Sequence, residues 1–422
     1  MKHIEAATVT ITLADIVDAK HRIAEGIYFS PCPESIPLAE ICGCPIYCKL
    51  DYLQRTGSFK ERGARNALLL LNPDQQRRGV IGASAGNHAL GLAYHGKGLG
   101  IRVTVVMPRY APLIKLTTCR KLGAEVVLFG ESFSEAFGHA QELAASRGLT
   151  YIHGFDDPAI IAGQGTVGLE ILEQVPDVEA IVVPIGGGGL VAGVALAVKS
   201  VMPGVQIVGV EPEHAAAFSA ALAAGHPVKT PLRPTLADGL AVGKVGELAF
   251  SIAAPRVDRV VTVSEEELAL AMLRLAELEK SVVEGAGAAP LAAAMFGKLP
   301  ELAGKRTVLI LSGGNVDPLI LTRVIEKALV ADGRLCRFTA VVSDRPGGLA
   351  RLAQLVAQTG ASIQEIAHDR AFSGPDIAAA HVLCTVETAD RDHVEKLYQL
   401  LAQAGIMVLS PRFVSNGPQP VS

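Results

Sequence analysis

The sequence predicts an α/β protein with a helix-covered parallel sheet, followed by a smaller βαββαβ domain of ferredoxin-like type. Two observations lead to this prediction. From about residue 45 to 325, short runs rich in β-branched residues alternate with longer Ala-rich segments, a pattern typical of buried parallel strands joined by helices. After about residue 330 the pattern and composition change, which indicates a separate domain.

Apolar runs predict the strands of the first part. They lie at Val103–Met107, Ala124–Phe129, Ala180–Ile185, Gln206–Val210 and Thr307–Leu311. Helices are predicted at Ser134–Ala145 and Glu265–Lys280. Glycine-rich turns around Gly186 and Ser312 directly follow two of the strands. Parallel sheets bind ligands at the carboxyl ends of their strands, so both turns are candidate binding segments.

The last part of the chain alternates strand and helix patterns in the order βαββαβ. The predicted strands are Cys336–Ser343, Ala361–Ala371, Ile377–Glu387 and Ile406–Phe413. The predicted helices between them are Pro346–Thr359 and Asp390–Gln403. We expect residues 414–422 to form a disordered tail.

Composition narrows the class of protein. The 422 residues are 50% hydrophobic and 19% charged, enough to bury a large core. The net charge of −4 gives no basis for a nucleic-acid or anionic-membrane surface. We find neither the apolar segment of a signal peptide nor an uninterrupted apolar run long enough to span a bilayer. We therefore expect a cytoplasmic enzyme.

The seven cysteines are odd in number and spread over a large chain, which argues against a disulfide framework. Cys32, Cys42, Cys44 and Cys48 lie close in sequence, but their spacing fits no common zinc finger or ribbon. We expect buried or partly buried thiols and no metal site.

Lys60 is the most informative residue of the chain. It follows Thr56-Gly57-Ser58-Phe59 and precedes two charged residues, so a solvated surface position is one interpretation. The small neutral residues before it favour close approach of a ligand. Desolvation or neighbouring cations would lower the pKa of the lysine and expose the neutral amine that a Schiff base requires. Phe59 would then stack on an aromatic cofactor, or else pack in the core.

Four consecutive glycines and Leu190, residues 186–190, form a second candidate site. Glycines in series cost backbone entropy, and close approach of backbone N–H groups to an anion at a helix N-terminus would justify that cost. A flexible turn is the alternative.

A dinucleotide site is the other interpretation of this segment. Gly187, Gly189 and Gly193 give G-x-G-x-x-x-G, and Glu211 ends the next strand, where a ribose-binding acid would stand. The spacing differs from G-x-G-x-x-G, however, and a nicotinamide enzyme would explain neither Lys60 nor the turn after Ser312. A phosphate site is therefore favoured.

The segment Ser84-Ala85-Gly86-Asn87-His88 follows a predicted strand and opens a predicted helix, Ala89–Gly96. Ser84 is a candidate N-cap. Alternatively, the backbone N–H groups of the turn bind a substrate carboxylate, with the Asn87 amide reaching an oxygen of the cofactor ring. His88 has no orienting acid near it in sequence, so a structural role is expected for its side chain.

Four segments together resemble the fold-type II pyridoxal phosphate enzymes, and within them most closely the threonine ammonia-lyases (threonine dehydratases): TGSFKERGARNAL, SAGNHALGLA, PIGGGGLVAG and LSGGNVD. They occur in the family's order over about residues 15–325. The resemblance implies two parallel-sheet subdomains in a catalytic domain over 1–328, the smaller at about 52–155. Residues 336–413 are similar to an ACT domain, a regulatory domain that binds amino acids.

The resemblance also implies roles for individual residues. Lys60 would form the Schiff base, the glycine turn would hold the phosphate, and Ser312 would bond the ring nitrogen of pyridoxal 5'-phosphate. The implied cofactor-binding residues are Lys60, Phe59, Asn87, Gly186, Gly187, Gly188, Gly189, Leu190 and Ser312. The implied substrate-carboxylate turn is Ser84, Ala85, Gly86, Asn87 and His88. The implied effector residues are Asp344, Pro346, Gly347 and Leu349.

In the implied reaction, substrate displaces Lys60 from the cofactor, the freed amine removes the Cα proton, and the β-hydroxyl leaves. The released enamine hydrolyses to a 2-oxo acid and ammonia, so L-threonine would give 2-oxobutanoate and L-serine pyruvate. Another β-hydroxy amino acid, such as 3-hydroxyaspartate, stays open, because one methyl in a pocket is worth only ~1–3 kcal/mol. A non-catalytic amino-acid sensor is a further alternative, against which the intact motifs argue.

Two positions distinguish the chain from serine racemases of the same fold. Those enzymes have a serine at the position of Ala85, so racemisation would lack its second acid–base group here. Their cation ligands fall on Glu211, Ala215 and Ala217, so one carboxylate is missing and no tight Mg²⁺ or Ca²⁺ site is expected. Weak cation binding stays open, and a helix-start or surface acid is the alternative role for Glu211.

The ACT-like domain implies amino-acid regulation, with isoleucine inhibition and valine antagonism as the family-level expectation. Isoleucine biosynthesis and a catabolic role both remain open. A homodimer or homotetramer is expected by analogy.

Overall fold

The computed structural model describes residues 10–111, 113–370 and 378–409. The chain forms two compact units that divide between Asp317 and Pro318. The resemblance implies a catalytic domain that ends at residue 328, whereas residues 318–328 fall in the second unit. The tail predicted for 414–422 lies outside the described residues.

The first unit contains alternating strands and helices. Its strands are β1 (Glu34–Ser35), β2 (Ile46–Lys49), β3 (Val80–Ala83), β4 (Val103–Met107), β5 (Glu125–Leu128), β6 (Thr150–Tyr151), β7 (Ala180–Pro184), β8 (Gln206–Pro212), β9 (Arg259–Val263) and β10 (Thr307–Ile310). Its helices are α1 (Leu13–Ile23), α2 (Ile36–Cys42), α3 (Lys60–Leu69), α4 (Pro73–Arg78), α5 (Asn87–Leu99), α6 (Leu113–Lys121), α7 (Phe133–Arg147), α8 (Pro158–Gln174), α9 (Gly189–Val201), α10 (Ala217–Ala224), α11 (Glu247–Ala253), α12 (Glu265–Leu278) and α13 (Gly285–Met295).

These strands form two sheets. The larger has six strands in the order β1-β2-β10-β7-β8-β9, parallel except for the β1–β2 pair. The smaller has four parallel strands in the order β5-β4-β3-β6. The predicted α/β fold class is confirmed. Because β2, β10 and β7 are parallel neighbours, the segments that follow their carboxyl ends meet at one edge of the large sheet.

A seam of glycines joins α3, α8 and α9 almost backbone to backbone. A Cβ at Gly163 would lie 2.6 Å from Gly63 Cα, and a Cβ at Gly193 would lie 2.5 Å from the Gly165 nitrogen. Any larger residue at either position would force the helices apart. The N-termini of α3 and α9, which carry Lys60 and the four-glycine turn, are therefore held through α8.

The second unit contains β11 (Leu335–Ser343), β12 (Ser362–Asp369), β13 (Ala379–Glu387) and β14 (Met407–Leu409), with α14 (Pro318–Ala331), α15 (Gly348–Gln358) and α16 (Arg391–Gln403). Its sheet is antiparallel in the order β12-β13-β11-β14. The predicted βαββαβ arrangement from β11 onward is confirmed, and its strand order is that of a ferredoxin-like sheet.

The four clustered cysteines are free, half-buried or buried thiols, as predicted. Burial raises the pKa of Cys32 and of Cys42 to about 12. Among the described residues, no helix is long and apolar enough to cross a membrane.

Candidate active site

Lys60 is the first residue of α3, and its amine points into the protein. Its Nζ donates a hydrogen bond to the Gly154 carbonyl oxygen at 2.7 Å and lies 5.2 Å from the centre of the Phe59 ring. Burial lowers the pKa of Lys60 to about 8, against the opposing effect of the Glu284 charge. Lys60 is therefore not a solvated surface lysine, and near neutral pH part of it carries the neutral amine that attack on a carbonyl requires.

The turn after β10 lies directly against the segment that carries Lys60. The Phe59 N–H donates to the Ser312 carbonyl oxygen at 3.0 Å, and Ser58 pairs with Gly313 in an isolated antiparallel bridge. Ser312 is 2% exposed. Two of the segments recognised in the sequence thus form one local structure.

The turn after β3 begins differently from the sequence expectation. Helix α5 starts at Asn87 with Gly86 as its N-cap residue, and the Ser84 hydroxyl accepts a hydrogen bond from the Gly86 N–H at 3.1 Å. The prediction that Ser84 is the N-cap is wrong, because Ser84 stabilises the turn before the helix. Asn87 and His88 are the first two residues of the helix, and backbone N–H groups at this end of a helix have no intrahelical acceptors. Their role in binding a substrate carboxylate stays a prediction.

The Asn87 side chain joins two segments that lie far from it in sequence. Its Nδ2 donates to Glu284 Oε1 at 2.7 Å, and its Oδ1 accepts from Asn315 Nδ2 at 2.9 Å. Asn315 Nδ2 also donates to the Thr56 carbonyl oxygen at 2.6 Å. Sequence reasoning assigned no role to Glu284. Its signal was available: a single carboxylate in an otherwise uncharged, Gly- and Ala-rich run, SVVEGAGAAP, at residues 281–290.

The four-glycine turn is shaped by Phe155. A Cβ at Gly187 would lie 2.3 Å from Phe155 Cγ, and a Cβ at Gly189 would lie 2.6 Å from the Phe155 carbonyl oxygen. Gly188 has φ +93°, a conformation that favours glycine, and α9 begins at the next residue. Phe155 directly follows Gly154, the residue that accepts the Lys60 hydrogen bond, so the turn and the lysine share one short connecting segment.

The residues that suggested a dinucleotide site have other roles. Gly193 belongs to the glycine seam, because its hypothetical Cβ would lie 2.4 Å from the Ile161 carbonyl oxygen. The Glu211 carboxylate accepts hydrogen bonds from the N–H groups of Phe218 and Ser219 at 2.6 and 2.9 Å, in the first turn of α10. Glu211 is thus a helix-start acid, and burial raises its pKa. The expectation of no tight cation site there stays a prediction.

His88 is a buried, neutral residue. Its Nε2 lies 3.2 Å from the Ile152 carbonyl oxygen and the residue is 3% exposed. Burial, reinforced by the charge of Lys60, lowers the pKa of His88 to about 3. A protonated imidazole is therefore disfavoured, which agrees with the structural role predicted for this side chain.

The site has the features that pyridoxal phosphate requires. Thr56 Oγ1, Ser58 Oγ and Glu284 Oε2 are buried without a hydrogen-bond partner in the described part of the chain. Buried polar atoms rarely remain unsatisfied unless a ligand or water completes them. Together with a desolvated lysine and a glycine turn at the start of α9, they form a cradle that fits an aromatic aldehyde carrying a phosphate.

Comparison with known proteins agrees with this chemistry. Residues 23–313 match the family described as "Pyridoxal-phosphate dependent enzyme". The chain belongs to this family. The family and the cofactor predicted from the four segments are confirmed, and the protein is an enzyme of the pyridoxal phosphate class.

Several relatives cover most of this family member. "L-threonine ammonia-lyase" of Thermotoga maritima is 44% identical over 398 residues, which are 94% of this chain and 99% of that protein. "L-threonine dehydratase catabolic TdcB" of Escherichia coli is 42% identical over 308 residues, 73% of this chain and 94% of that protein.

Two solved structures show the same fold. The processed form of threonine deaminase isoform 2 from Solanum lycopersicum has a TM-score of 0.72 and 40% identity, covering 75% of this chain and 92% of that one. Serine racemase from Dictyostelium discoideum has a TM-score of 0.69 and 36% identity, covering 73% of this chain and 100% of that one.

The predicted effector residues lie in the second unit: Asp344, Pro346 and Gly347 on the turn between β11 and α15, and Leu349 in the first turn of α15. The Asp344 carboxylate accepts a hydrogen bond from Arg370 Nε at 2.7 Å. Pro346 lies in this turn, and Gly347, with φ +98°, precedes the first residue of α15. Leu349 is exposed. Effector binding at these residues stays a prediction.

Proposed function

We propose that this protein is an ammonia-lyase that converts L-threonine to 2-oxobutanoate and ammonia, and L-serine to pyruvate. The observation that supports it most is the placement of a desolvated lysine. Lys60 lies beside the turn of Ser312 and bonds the Gly154 carbonyl, and the next residue, Phe155, packs against the glycine turn. The similarity to proteins named for threonine deamination, over nearly the whole chain in the case of Thermotoga maritima, supports the choice of substrate.

Three groups of residues would hold the cofactor. Lys60 would attach it covalently, with the Phe59 side chain against its ring. The backbone amides from Gly186 to Leu190 would bind its phosphate at the N-terminus of α9, where the helix dipole favours an anion. The Ser312 hydroxyl would bond its ring nitrogen, and the Asn87 amide its phenolic oxygen. Pyridoxal phosphate, when bound, supplies an electron sink for charge that develops at the substrate Cα.

Lys60 Nζ is also the group that would remove the Cα proton once substrate has displaced it. Its pKa of about 8 suits a base near neutral pH, and the Gly154 carbonyl, 2.7 Å away, would orient the free amine. At Ala85, where the resemblance implies that racemases carry their second acid–base group, the side chain cannot hold or deliver a proton. This asymmetry favours elimination over racemisation.

We further propose that the second unit binds an amino-acid effector at the turn from Asp344 to Leu349, and that the enzyme acts in the cytoplasm as a homodimer or homotetramer. An effector that binds two states of the enzyme unequally would shift the equilibrium between them. Isoleucine and valine are the first compounds to test, because the resemblance to regulated members of the family implies isoleucine inhibition and valine antagonism.

The decisive experiment measures 2-oxobutanoate formation from L-threonine by the purified, cofactor-loaded protein, with L-serine and 3-hydroxyaspartate in parallel. Faster turnover of L-threonine than of the other two is the expected result. If the protein shows the absorbance of bound cofactor but forms no 2-oxobutanoate, L-threonine is not its substrate. Activity on 3-hydroxyaspartate would then identify that compound as the substrate instead.

A further inference from the structure

Glu284 is a buried carboxylate to which the reaction outlined above gives no role. It is 4% exposed and occupies the N-cap position of α13, yet its side chain makes no capping hydrogen bond to that helix. Instead Oε1 accepts from Asn87 Nδ2 at 2.7 Å, and Oε2 is buried without a partner among the described residues. The Glu284 carboxylate therefore contacts a residue of the candidate active site and does not cap its own helix.

The backbone around Glu284 fixes the side chain against the turn after β10. The Glu284 N–H donates to the Gly313 carbonyl oxygen at 3.0 Å. A Cβ at Gly313 would lie 2.2 Å from Glu284 Oε1, so glycine is needed there for the carboxylate to reach Asn87. The position of Glu284 therefore depends on the same turn that carries Ser312.

The contacts of the Asn87 amide determine which way it faces. Glu284 accepts from its nitrogen, and Asn315 donates to its oxygen at 2.9 Å. An amide reversed by 180° would place its oxygen against the carboxylate and its nitrogen against the Asn315 amide nitrogen, losing both hydrogen bonds. In the observed orientation the second N–H of Asn87 Nδ2 is available as a donor to an oxygen in the site.

We propose that Glu284 is a positioning residue with two separable effects: its oxygen orients the Asn87 amide toward the cofactor, and its charge favours the protonated form of Lys60. The inference rests on the cofactor site at Lys60, but not on the identity of the substrate. The orienting effect requires an acceptor atom at the right place, whereas the electrostatic effect requires the negative charge.

Other charged groups also act on this pair. Burial, and to a smaller extent the charge of Asp238, raise the pKa of Glu284 to about 7, against the lowering effects of Lys115 and of hydrogen bonds from Asn87 and the Asn315 backbone. His88 and His153 lie near Lys60, and burial lowers the pKa of each, so both are largely neutral when Lys60 titrates. Glu284 lies against the segment that carries Lys60, because its N–H donates to the Gly313 carbonyl oxygen at 3.0 Å and Gly313 pairs with Ser58. Its charge raises the pKa of Lys60.

Three substitutions separate the two effects. Glu284→Gln keeps an acceptor oxygen and removes the charge, Glu284→Asp keeps the charge but shortens the side chain away from Asn87, and Glu284→Ala removes both. Glu142→Gln is the matched control, because it removes the same charge from a side chain that is 77% exposed on α7.

The first measurement is the pH profile of Lys60 acetylation in the cofactor-free protein, followed by mass spectrometry of the Lys60 peptide. We expect the midpoint to fall by about 1 pH unit in Glu284→Gln and Glu284→Ala, and to stay near the wild-type value in Glu284→Asp and Glu142→Gln. An unchanged midpoint in Glu284→Gln would overturn the electrostatic effect. Because labelling needs no substrate, this result is independent of the proposed activity.

The second measurement is the dissociation constant of pyridoxal phosphate, from absorbance titration of the cofactor-free protein. We expect about tenfold weaker binding in Glu284→Asp and Glu284→Ala, the loss associated with one hydrogen bond, and near wild-type binding in Glu284→Gln. Equal affinity in all variants would overturn the orienting effect. If Glu284→Ala does not fold, Gly313→Ala supplies the same test, since its methyl group displaces the carboxylate without removing it.

Discussion

Helix α3 carries two groups of buried charge that are built in opposite ways. In the first, Arg62 Nε and Nη2 donate to both oxygens of Asp51 at 2.8 and 2.7 Å, and Nη1 and Nη2 donate to both oxygens of Glu170 at 2.6 and 2.8 Å. Lys49 completes the group with a 2.6 Å contact to Glu170. Two cations face two anions, and every charge has a partner.

The second group is left incomplete. Lys60, two residues before Arg62, donates to a neutral carbonyl, and the Oε2 atom of Glu284 has no hydrogen-bond partner in the described part of the chain. The pKa values respond accordingly. Although burial alone would raise the pKa of Asp51, the charge of Arg62 holds it below its usual range. At Lys60 the effect of burial prevails, and the pKa falls to about 8.

The difference distinguishes charged groups that stabilise the fold from charged groups that take part in the reaction. Removing or neutralising one member of a complete buried network leaves another charge buried without a partner. Such a network therefore resists a change in protonation and stabilises the fold. A buried amine with no paired carboxylate costs stability but titrates within the physiological range, which is what covalent chemistry with a carbonyl requires. The predictions below test this contrast.

Loss of the Lys60 amine should have the largest effect. Lys60→Ala removes the group that attaches the cofactor and moves the proton, so we expect turnover to fall ~10⁴-fold or more. The stability of the cofactor-free protein should not fall, because the loss of one hydrogen bond is opposed by the removal of a desolvated amine. Activity assays and urea unfolding on the same preparation test both statements, and a strongly destabilised variant would contradict the contrast.

Arg62→Ala should have the opposite profile. It leaves Asp51 and Glu170 buried without their shared cation, so we expect a loss of about 3–5 kcal/mol in the free energy of unfolding of the cofactor-free protein. Arg77→Ala is the control, since its ion pair with Asp74 has side chains 71% and 66% exposed and should cost only about 0–1 kcal/mol. Similar losses in both variants would show that the buried network contributes little.

The pH dependence of stability tests the cost of burying Lys60. The pKa of Lys60 is about 8 in the folded state against 10.5 ordinarily, so between these values the unfolded chain binds the additional proton and folded stability rises with pH. Lys60→Met carries no proton, and we expect it to be more stable than wild type by about 3 kcal/mol below pH 8, with the advantage vanishing towards pH 10.5. Urea unfolding from pH 7 to 10.5 measures this. Lys97→Met, at an exposed position, should show no such trend.

The smallest effect is expected from Ser30→Ala. The Ser30 hydroxyl donates to Asp51 Oδ1 at 2.6 Å, and its loss should cost about 2 kcal/mol of stability, as for a hydrogen bond to a charged group. The Lys60 labelling profile should not move. A shifted profile would mean that the two charge groups are coupled, and the contrast between them would fail.

The sequence was sufficient for much of the fold and for part of the site. Strand positions such as Val103–Met107 follow from continuous apolar runs, because a strand buried on both faces has no polar side to obscure its bounds. Lys60 and the glycine turn were found because each carries an unusual local pattern. Glu284 was missed: a lone carboxylate in the uncharged run 281–290 marks it as unusual, but its role follows only from its contact with Asn87, 197 positions away.

The complete charge network was equally hidden from the sequence. Arg62 looks like a surface charge in the sequence, and only the meeting of α3 with α8, which carries Glu170, shows that it is buried. The N-cap prediction for Ser84 was wrong for a local reason: a serine two positions before the N-cap residue can stabilise the preceding turn as readily as the helix itself.

The glycine seam between α3, α8 and α9 has a consequence for how the cofactor is received. With backbones packed against one another, these helices cannot slide or tilt relative to each other without losing their contact. The spacing between Lys60 and the glycine turn is therefore set during folding, before any cofactor arrives. Pyridoxal phosphate would therefore enter a preorganised site, and the structures of this core without and with cofactor should superpose. Any closure upon substrate binding must involve segments outside the core.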